Sequence, residues 1–118
     1  MIKAGYAIEI TSWENDGDCY NTKRFDGLTL EECRWRAAVC DYLRKNMRQE
    51  DINEEHVIAI YNMLPANKRD AECIDDQYDI VSDVIYDLVG YGYETGIPRV
   101  CESWRVYFIQ SAIEEVNI

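Results

Sequence analysis

The strongest pattern of apolar and polar residues lies between Asp70 and Val89, where apolar residues recur at steps of three and four. That period predicts a long helix with one buried side. The buried side would consist of Ile74, Tyr78, Val81, Ile85 and Leu88. The outer side carries six carboxylates, which we call the acidic face: Glu72, Asp75, Asp76, Asp79, Asp83 and Asp87. No Lys or Arg occurs between residues 70 and 89.

Alternation of apolar and polar residues from Gly5 to Trp13 predicts a strand. Residues 14–18 contain Asp16-Gly17, a pair that favours a hairpin turn because both residues tolerate positive φ. The return strand is expected at residues 19–25, and Asp26-Gly27 is expected to break the chain.

Two shorter helices are predicted to follow the hairpin. Thr29 and Glu32 fit a capping box that opens a helix to about Met47. The inner residues of that helix would be Cys33, Ala37, Cys40, Leu43 and Met47. Asn53 can cap a second helix, which Pro65 ends. The buried side of the second helix would be Val57, Ile60, Tyr61 and Leu64.

The C-terminal part predicts a loop and one more strand. Residues 90–98 are dense in Gly and Tyr but lack a phosphate-binding Gly pattern. Residues 99–109 alternate, and Val106 to Ile109 is apolar on both sides. Such a strand is either central and covered on both sides, or covered on one side and paired with a partner chain. Residues 111–118 would extend the strand or fray.

Together these elements predict one α+β domain spanning residues 1–118. Its small, mainly antiparallel sheet would combine the N-terminal hairpin with the C-terminal strand, and about three helices would cover one face. The chain has 23 acidic and 12 basic residues, a net charge of −11. That charge disfavours direct binding to nucleic acid or anionic lipid and favours a partner with a basic surface, unless it serves solubility alone.

The cysteine pattern and the absence of a long apolar run predict a cytoplasmic protein. Five cysteines occur, with no C-x-x-C pair, and no apolar run approaches the ~20 residues that span a bilayer. The N-terminus shows no signal-peptide pattern. We expect reduced thiols, with Cys33 and Cys40 acting as small buried residues.

Candidate chemistry is sparse, so the sequence predicts no catalytic residue, no metal ligand and no cofactor. The single histidine, His56, is expected at the surface and not as a general base. Residues 15–18 resemble a calcium loop superficially, but the Gly comes too early and the final Glu is missing.

The acidic face suggests a different role. Steps of four residues advance about 6 Å along a helix, whereas two nucleotide steps of one DNA strand advance about 6.8 Å. A row of Asp at this pitch could therefore imitate a row of phosphates. The alternative is that the face is simply the solvated side of an amphipathic helix, although ordinary helices mix charges of both signs.

Three short stretches, residues 11–18, 22–23 and 26–29, resemble the opening of small acidic bacteriophage-encoded proteins, mostly of unknown function. The resemblance implies a phage origin, and phage proteins of this size and charge are often inhibitors. It carries over no functional residue.

The leading hypothesis is a non-enzymatic protein that binds and inhibits a host or anti-phage defence protein through the acidic face. One alternative is a homodimer or larger homo-oligomer with a structural or assembly role, based on the apolar strand at residues 106–109. Another is a small enzyme or ligand-binding domain with its site near Tyr91, Tyr93, Trp104 and Arg105.

Overall fold

Four antiparallel strands and three α-helices occur in the residues that the computed structural model describes, which are 4–14, 19–48, 50–93, 95–110 and 112–118. This arrangement confirms the predicted α+β fold with a small antiparallel sheet. The strands are β1 (Gly5–Glu14), β2 (Cys19–Leu28), β3 (Val100–Ile109) and β4 (Ile113–Val116). The helices are α1 (Leu30–Asn46), α2 (Glu54–Tyr61) and α3 (Ile74–Leu88), and a 3₁₀ turn spans Ala66–Lys68. The predicted turn at residues 15–18 lies outside the described residues.

The sheet has the order β2-β1-β3-β4, so β1 and β3 are its central strands. One face is apolar: Ile8 lies opposite Phe25 on β2 and Val106 on β3, and the helices pack against it. The other face is polar, because Glu9 lies between Arg24 and Arg105 in the register. A sheet with one covered face and one solvated face shows this alternation.

Strand β2 continues through Asp26-Gly27, so the expected break at this pair is wrong. Tyr6 pairs with Leu28 and Ile8 pairs with Phe25, which leaves one residue of β1 opposite two residues of β2. This geometry is a β-bulge. Gly27 has φ 65°, a left-handed conformation that glycine adopts without strain. The pair that was expected to end the strand therefore bends it.

The C-terminal tail extends the sheet, an outcome the sequence left open. The Gln110 N–H donates to the Ala112 carbonyl at 3.2 Å, and the chain then reverses into β4. Strand β4 pairs antiparallel with β3 over four positions, from Val106–Val116 to Ile109–Ile113. Strand β3 is therefore central, as one of the two alternatives predicted, but Tyr107 and Phe108 are only half-buried, so the strand is not covered on both sides throughout.

The core lies between the covered face of the sheet and the three helices. The predicted inner residues of α1 are all buried, as are Val57 and Ile60 of α2. Thr29 and Glu32 form the predicted capping box: the Thr29 Oγ1 accepts the Glu32 N–H, and the Glu32 Oε1 accepts the Thr29 N–H. Local sequence therefore sets the start of α1, and tertiary burial sets its orientation.

The Gly- and Tyr-rich loop after α3 is anchored to the end of β1. Gly90 has φ 78° and turns the chain away from the helix. The Glu14 carboxylate accepts the Tyr93 N–H at 3.2 Å and pairs with Arg99 at 3.3 Å. The Arg99 Nε donates to the Ser12 hydroxyl, which itself donates to the Val89 carbonyl. These contacts give the loop a structural role, joining α3 to β1 and β3.

Candidate protein-interaction surface

The acidic face lies on the solvent side of α3 and of the residues just before it. All six of its side chains are exposed. Within the described part of the chain, none of the six forms an ion pair with a Lys or Arg. Opposite it on α3, Val81, Val84, Ile85 and Leu88 are buried, which confirms an amphipathic helix. The structure therefore presents the face to solvent with few of its charges neutralised.

Helix α3 begins at Ile74, so the predicted start at Asp70 is wrong. The Ala71 N–H donates to the Tyr61 hydroxyl at 3.0 Å, and the Glu72 N–H donates to the Asp76 carboxylate at 3.2 Å. Cys73 is extended and forms the N-cap without a side-chain hydrogen bond. An extended residue at Cys73 lies outside helical geometry, so Glu72 precedes the helix. Asp75 and Asp76 occupy its first turn, where negative charge is favourable.

The C-terminal end of the acidic face lies beside basic residues from other elements. The Lys23 Nζ donates to the carbonyls of Tyr86 and Asp87 at 3.0 and 3.2 Å. Burial lowers the pKa of the Arg36 guanidinium, and the Glu32 and Asp87 carboxylates oppose that shift. Asp87 is therefore partly compensated by tertiary contacts that the local sequence does not reveal.

Lys23 is the main residue of this surface that sequence reasoning missed. Helix α3 has no basic residue in its last turn, and Lys23 supplies a cation there from β2. The lack of a C-terminal cation on α3 was visible in the sequence. Its replacement by a residue far away in the chain was not, because strand register and sheet packing bring the two together.

Asp70 adds a seventh carboxylate next to the acidic face. A shallow groove of about 280 Å³ is lined by Asp70, Ala71, Asp76, Asp79 and Ile80. A second groove of about 230 Å³ is lined by Lys68, Asp70, Ile80, Asp83, Val84 and Asp87. The half-buried Ile80 side chain borders both grooves. The surface thus combines carboxylates with one apolar side chain at its centre.

The histidine and two of the cysteines are buried and have structural roles. His56 is 8% exposed and its Nδ1 accepts the Asn53 N–H, so the expectation of a surface histidine is wrong. Burial raises the pKa of the Cys33 thiol to about 11. The neighbouring Cys101 thiol and burial raise the pKa of Cys40. A high thiol pKa disfavours the nucleophilic thiolate, and burial confirms the expected packing role of Cys33 and Cys40.

No group of three or more His, Cys, Asp or Glu side chains that could hold a metal ion occurs in the described ranges. The acidic face fits this finding geometrically, since carboxylates along one helix face point outward and do not converge on a point. What the arrangement offers chemically is negative potential and hydrogen-bond acceptors.

The residues of the alternative ligand site are engaged with three different elements. The Tyr91 hydroxyl donates to the Ser82 carbonyl on α3. The Trp104 indole donates to Asp41 on α1, and Arg105 lies 4.0 Å from Glu115 on β4. Tyr93 is 94% exposed at the loop tip. These contacts account for three of the four residues as structural connections.

Comparison of the chain with protein-family models, with curated proteins and with solved structures finds no match. In the described part of the chain, no helix is both long enough and apolar enough to cross a membrane.

Proposed function

We propose that the protein is a phage-encoded, non-enzymatic inhibitor. Acting in the host cytoplasm without a cofactor, it binds a host or anti-phage defence protein. The acidic face is the binding surface, and it occupies a basic surface that normally binds nucleic acid. The observation that carries this proposal is the exposure of six carboxylates that have no ion-pair partner among the described residues. Like charges four residues apart cost a helix a few tenths of a kcal/mol per pair, so local stability does not account for them.

The part of the face from Asp70 to Asp83 is the most suitable for a basic partner. Asp87 is near Lys23 and Arg36, which reduce its potential. Asp75, Asp79 and Asp83 follow the helix at the phosphate-like spacing and have no such neighbour bonded to them. Lys or Arg side chains of a partner would be steered to this part by charge.

Ile80 favours a protein partner over a diffuse counterion cloud. It is half-buried between the two shallow grooves, with carboxylates on both sides. An apolar side chain within a polar rim is the usual composition of a protein interface centre. Association would therefore depend on charge, and the lifetime of the complex would depend partly on Ile80.

The test is capture of a partner from host lysate by the immobilised protein, with identification by mass spectrometry. We expect a nucleic-acid-binding protein whose capture weakens as salt rises and which duplex DNA displaces, because both compete for the same basic groups. The triple substitution Asp75→Asn, Asp79→Asn and Asp83→Asn should abolish capture.

A matched control variant distinguishes the effect of removing charge from the acidic face from the effect of lowering the total charge of the protein. The exposed residues Glu50, Asp51 and Glu114 lie outside α3, and the triple substitution Glu50→Gln, Asp51→Asn and Glu114→Gln removes the same charge. This variant should capture the partner normally. If the α3 variant folds and still captures the same protein with unchanged affinity, the acidic face is not the site.

A further inference from the structure

A cavity of about 470 Å³ lies between the first turns of α1 and the segment that follows α2. Its apolar lining comes from Trp35, Met63 and Pro65. Its cationic lining comes from Arg34, Arg36 and Lys68. A volume of this size, with apolar walls and a few polar groups, is typical of small-molecule sites. Two carboxylates, Glu31 and Glu32, also line the cavity, so its cations outnumber its carboxylates by one in a chain of net charge −11.

Arg36 has unused hydrogen-bonding capacity at this cavity. Its guanidinium lies 4.4 Å from the centre of the Trp35 ring, and its Nη1 donates to the Glu32 carbonyl at 2.9 Å. Its Nε is buried and has no hydrogen-bond partner among the described residues. An Arg carries five N–H donors in a fixed fork, so the Nη donors that the Glu32 carbonyl does not take are left for an anionic group, whereas the shielded Nε is not. Stacking on Trp35 holds the guanidinium in place.

The other charged residues of the cavity differ in how far they are paired. Arg34 pairs with Glu31 at 2.6 Å, so those two charges largely cancel. The Glu32 carboxylate accepts the Thr29 N–H, and that bond lowers its pKa. Lys68 lies with its Nζ 5.9 Å from the centre of the Trp35 ring and forms no ion pair in the described part of the chain. Arg36 and Lys68 are therefore the two cations of the cavity that form no ion pair among the described residues, although both lie close enough to Glu32 to help lower its pKa.

We propose that this cavity binds a small ligand in which a flat apolar group carries a phosphate or a carboxylate. The flat group would pack between Trp35, Met63 and Pro65, and the anion would accept hydrogen bonds from Arg36 and Lys68. Both phosphate and carboxylate match the guanidinium fork. This site adjoins the Asp87 end of the acidic face through Lys68 and Arg36, but no carboxylate of the acidic face lines it.

The test is calorimetric titration of the full chain with adenosine 5′-monophosphate and, separately, with indole-3-carboxylate. Adenosine and inorganic phosphate serve as the two halves of the nucleotide. We expect saturable binding of at least one of the two anionic aromatic probes. Adenosine and inorganic phosphate alone should bind at least about tenfold more weakly, since each lacks one of the two contacts. Binding of the nucleotide identifies a phosphate ligand, and binding of indole-3-carboxylate alone identifies a carboxylate ligand.

Lys68→Gln should weaken binding about tenfold, whereas Lys45→Gln, which removes an exposed Lys from the far end of α1, should leave it unchanged. Indole N–H signals in NMR locate the site independently of any variant. The Trp35 signal should shift, while the signals of Trp13 and Trp104, bonded to Glu102 and Asp41, should stay in place.

Three outcomes would overturn the proposal. The first is that neither anionic probe binds saturably at millimolar concentration, and the second is that inorganic phosphate alone binds as tightly as the nucleotide. The third is that Lys68→Gln does not weaken binding and the Trp35 signal does not shift. The triple Asn variant of the acidic face should retain full ligand binding. A failure of this site is therefore distinguishable from a failure of the interaction surface.

Discussion

Helices α1 and α3 have similar lengths and pack in the same core, yet they are stabilised in different ways. Helix α1 has a capping box, carries Arg44 and Lys45 in its last turn, and pairs Glu31 with Arg34. Helix α3 has neither a side-chain cap nor a basic residue in its last turn. Its last carbonyls are instead met by Lys23 from β2. The charges of α1 stabilise both of its ends, whereas those of α3 favour only its first turn and its C-terminal end depends on a tertiary contact.

The largest effects should come from removing a buried side chain from each helix. Leu43→Ala in α1 and Ile85→Ala in α3 should each lower the free energy of unfolding by about 2–5 kcal/mol, because both side chains are fully buried in one core. Denaturant titration measures both. Hydrogen exchange should then separate the helices: α3 amides should lose more protection in Ile85→Ala than α1 amides lose in Leu43→Ala. Equal losses would mean that local capping contributes little to α1.

Removing the N-cap of α1 and supplying one to α3 should change the free energy of unfolding in opposite directions. Thr29→Ala removes the cap of α1 and should cost about 1 kcal/mol. Cys73→Ser supplies the cap that α3 lacks and should add about 0.5–1 kcal/mol, because a Ser hydroxyl accepts a backbone N–H well. Thermal and denaturant unfolding of both variants would check this. A destabilised Cys73→Ser variant would show that the thiol contributes a contact that outweighs capping.

The smallest effect concerns the pH dependence of the α1 cap. The Thr29 N–H, which donates to the Glu32 carboxylate, lowers the pKa of that carboxyl below its usual value. A lowered folded-state pKa means that the stabilisation is present above the unfolded pKa and is lost as pH falls through the folded pKa. The difference in unfolding free energy between the wild type and Glu32→Gln should therefore shrink from about pH 6 to about pH 3. A difference that stays constant over this range would contradict the assignment.

Sequence patterns predicted the elements whose stabilisation is local or periodic. The capping box of α1, the Asn53 cap of α2 and the buried residues of α3 all follow from short-range rules. The misses have long-range or competing causes. Asp26-Gly27 forms a bulge because β1 keeps pairing beyond it. The start of α3 moved to Ile74 because Cys73 is extended. The outcome that the sequence left open, at the C-terminal tail, was decided by the edge that β3 offers to β4.

The candidate site could be predicted only in part. The row of carboxylates and its lack of Lys or Arg are properties of consecutive residues, so the sequence showed them. The sequence did not show that Lys23 and Arg36 offset part of the Asp87 charge, or that Asp70 lies next to the acidic face. Both depend on how β2, α1 and the segment before α3 meet. His56 was misplaced for a similar reason: its ring packs edge-on against Tyr42 of α1, with the ring centres 6.2 Å apart, and is buried there.

The central position of β1 has a consequence for how the chain folds during synthesis. Its neighbour β3 comes from nearly the opposite end of the sequence. While the ribosome makes the helices, the edge of β1 that later pairs with β3 has no partner strand. Ile8 and Ile10 then lack their neighbours on β3, Val106 and Trp104. Such long-range pairing slows folding and leaves a strand edge open to other chains. A nascent chain that stalls before Val100 would therefore be prone to aggregate, and completion of β3 is the event that closes the sheet.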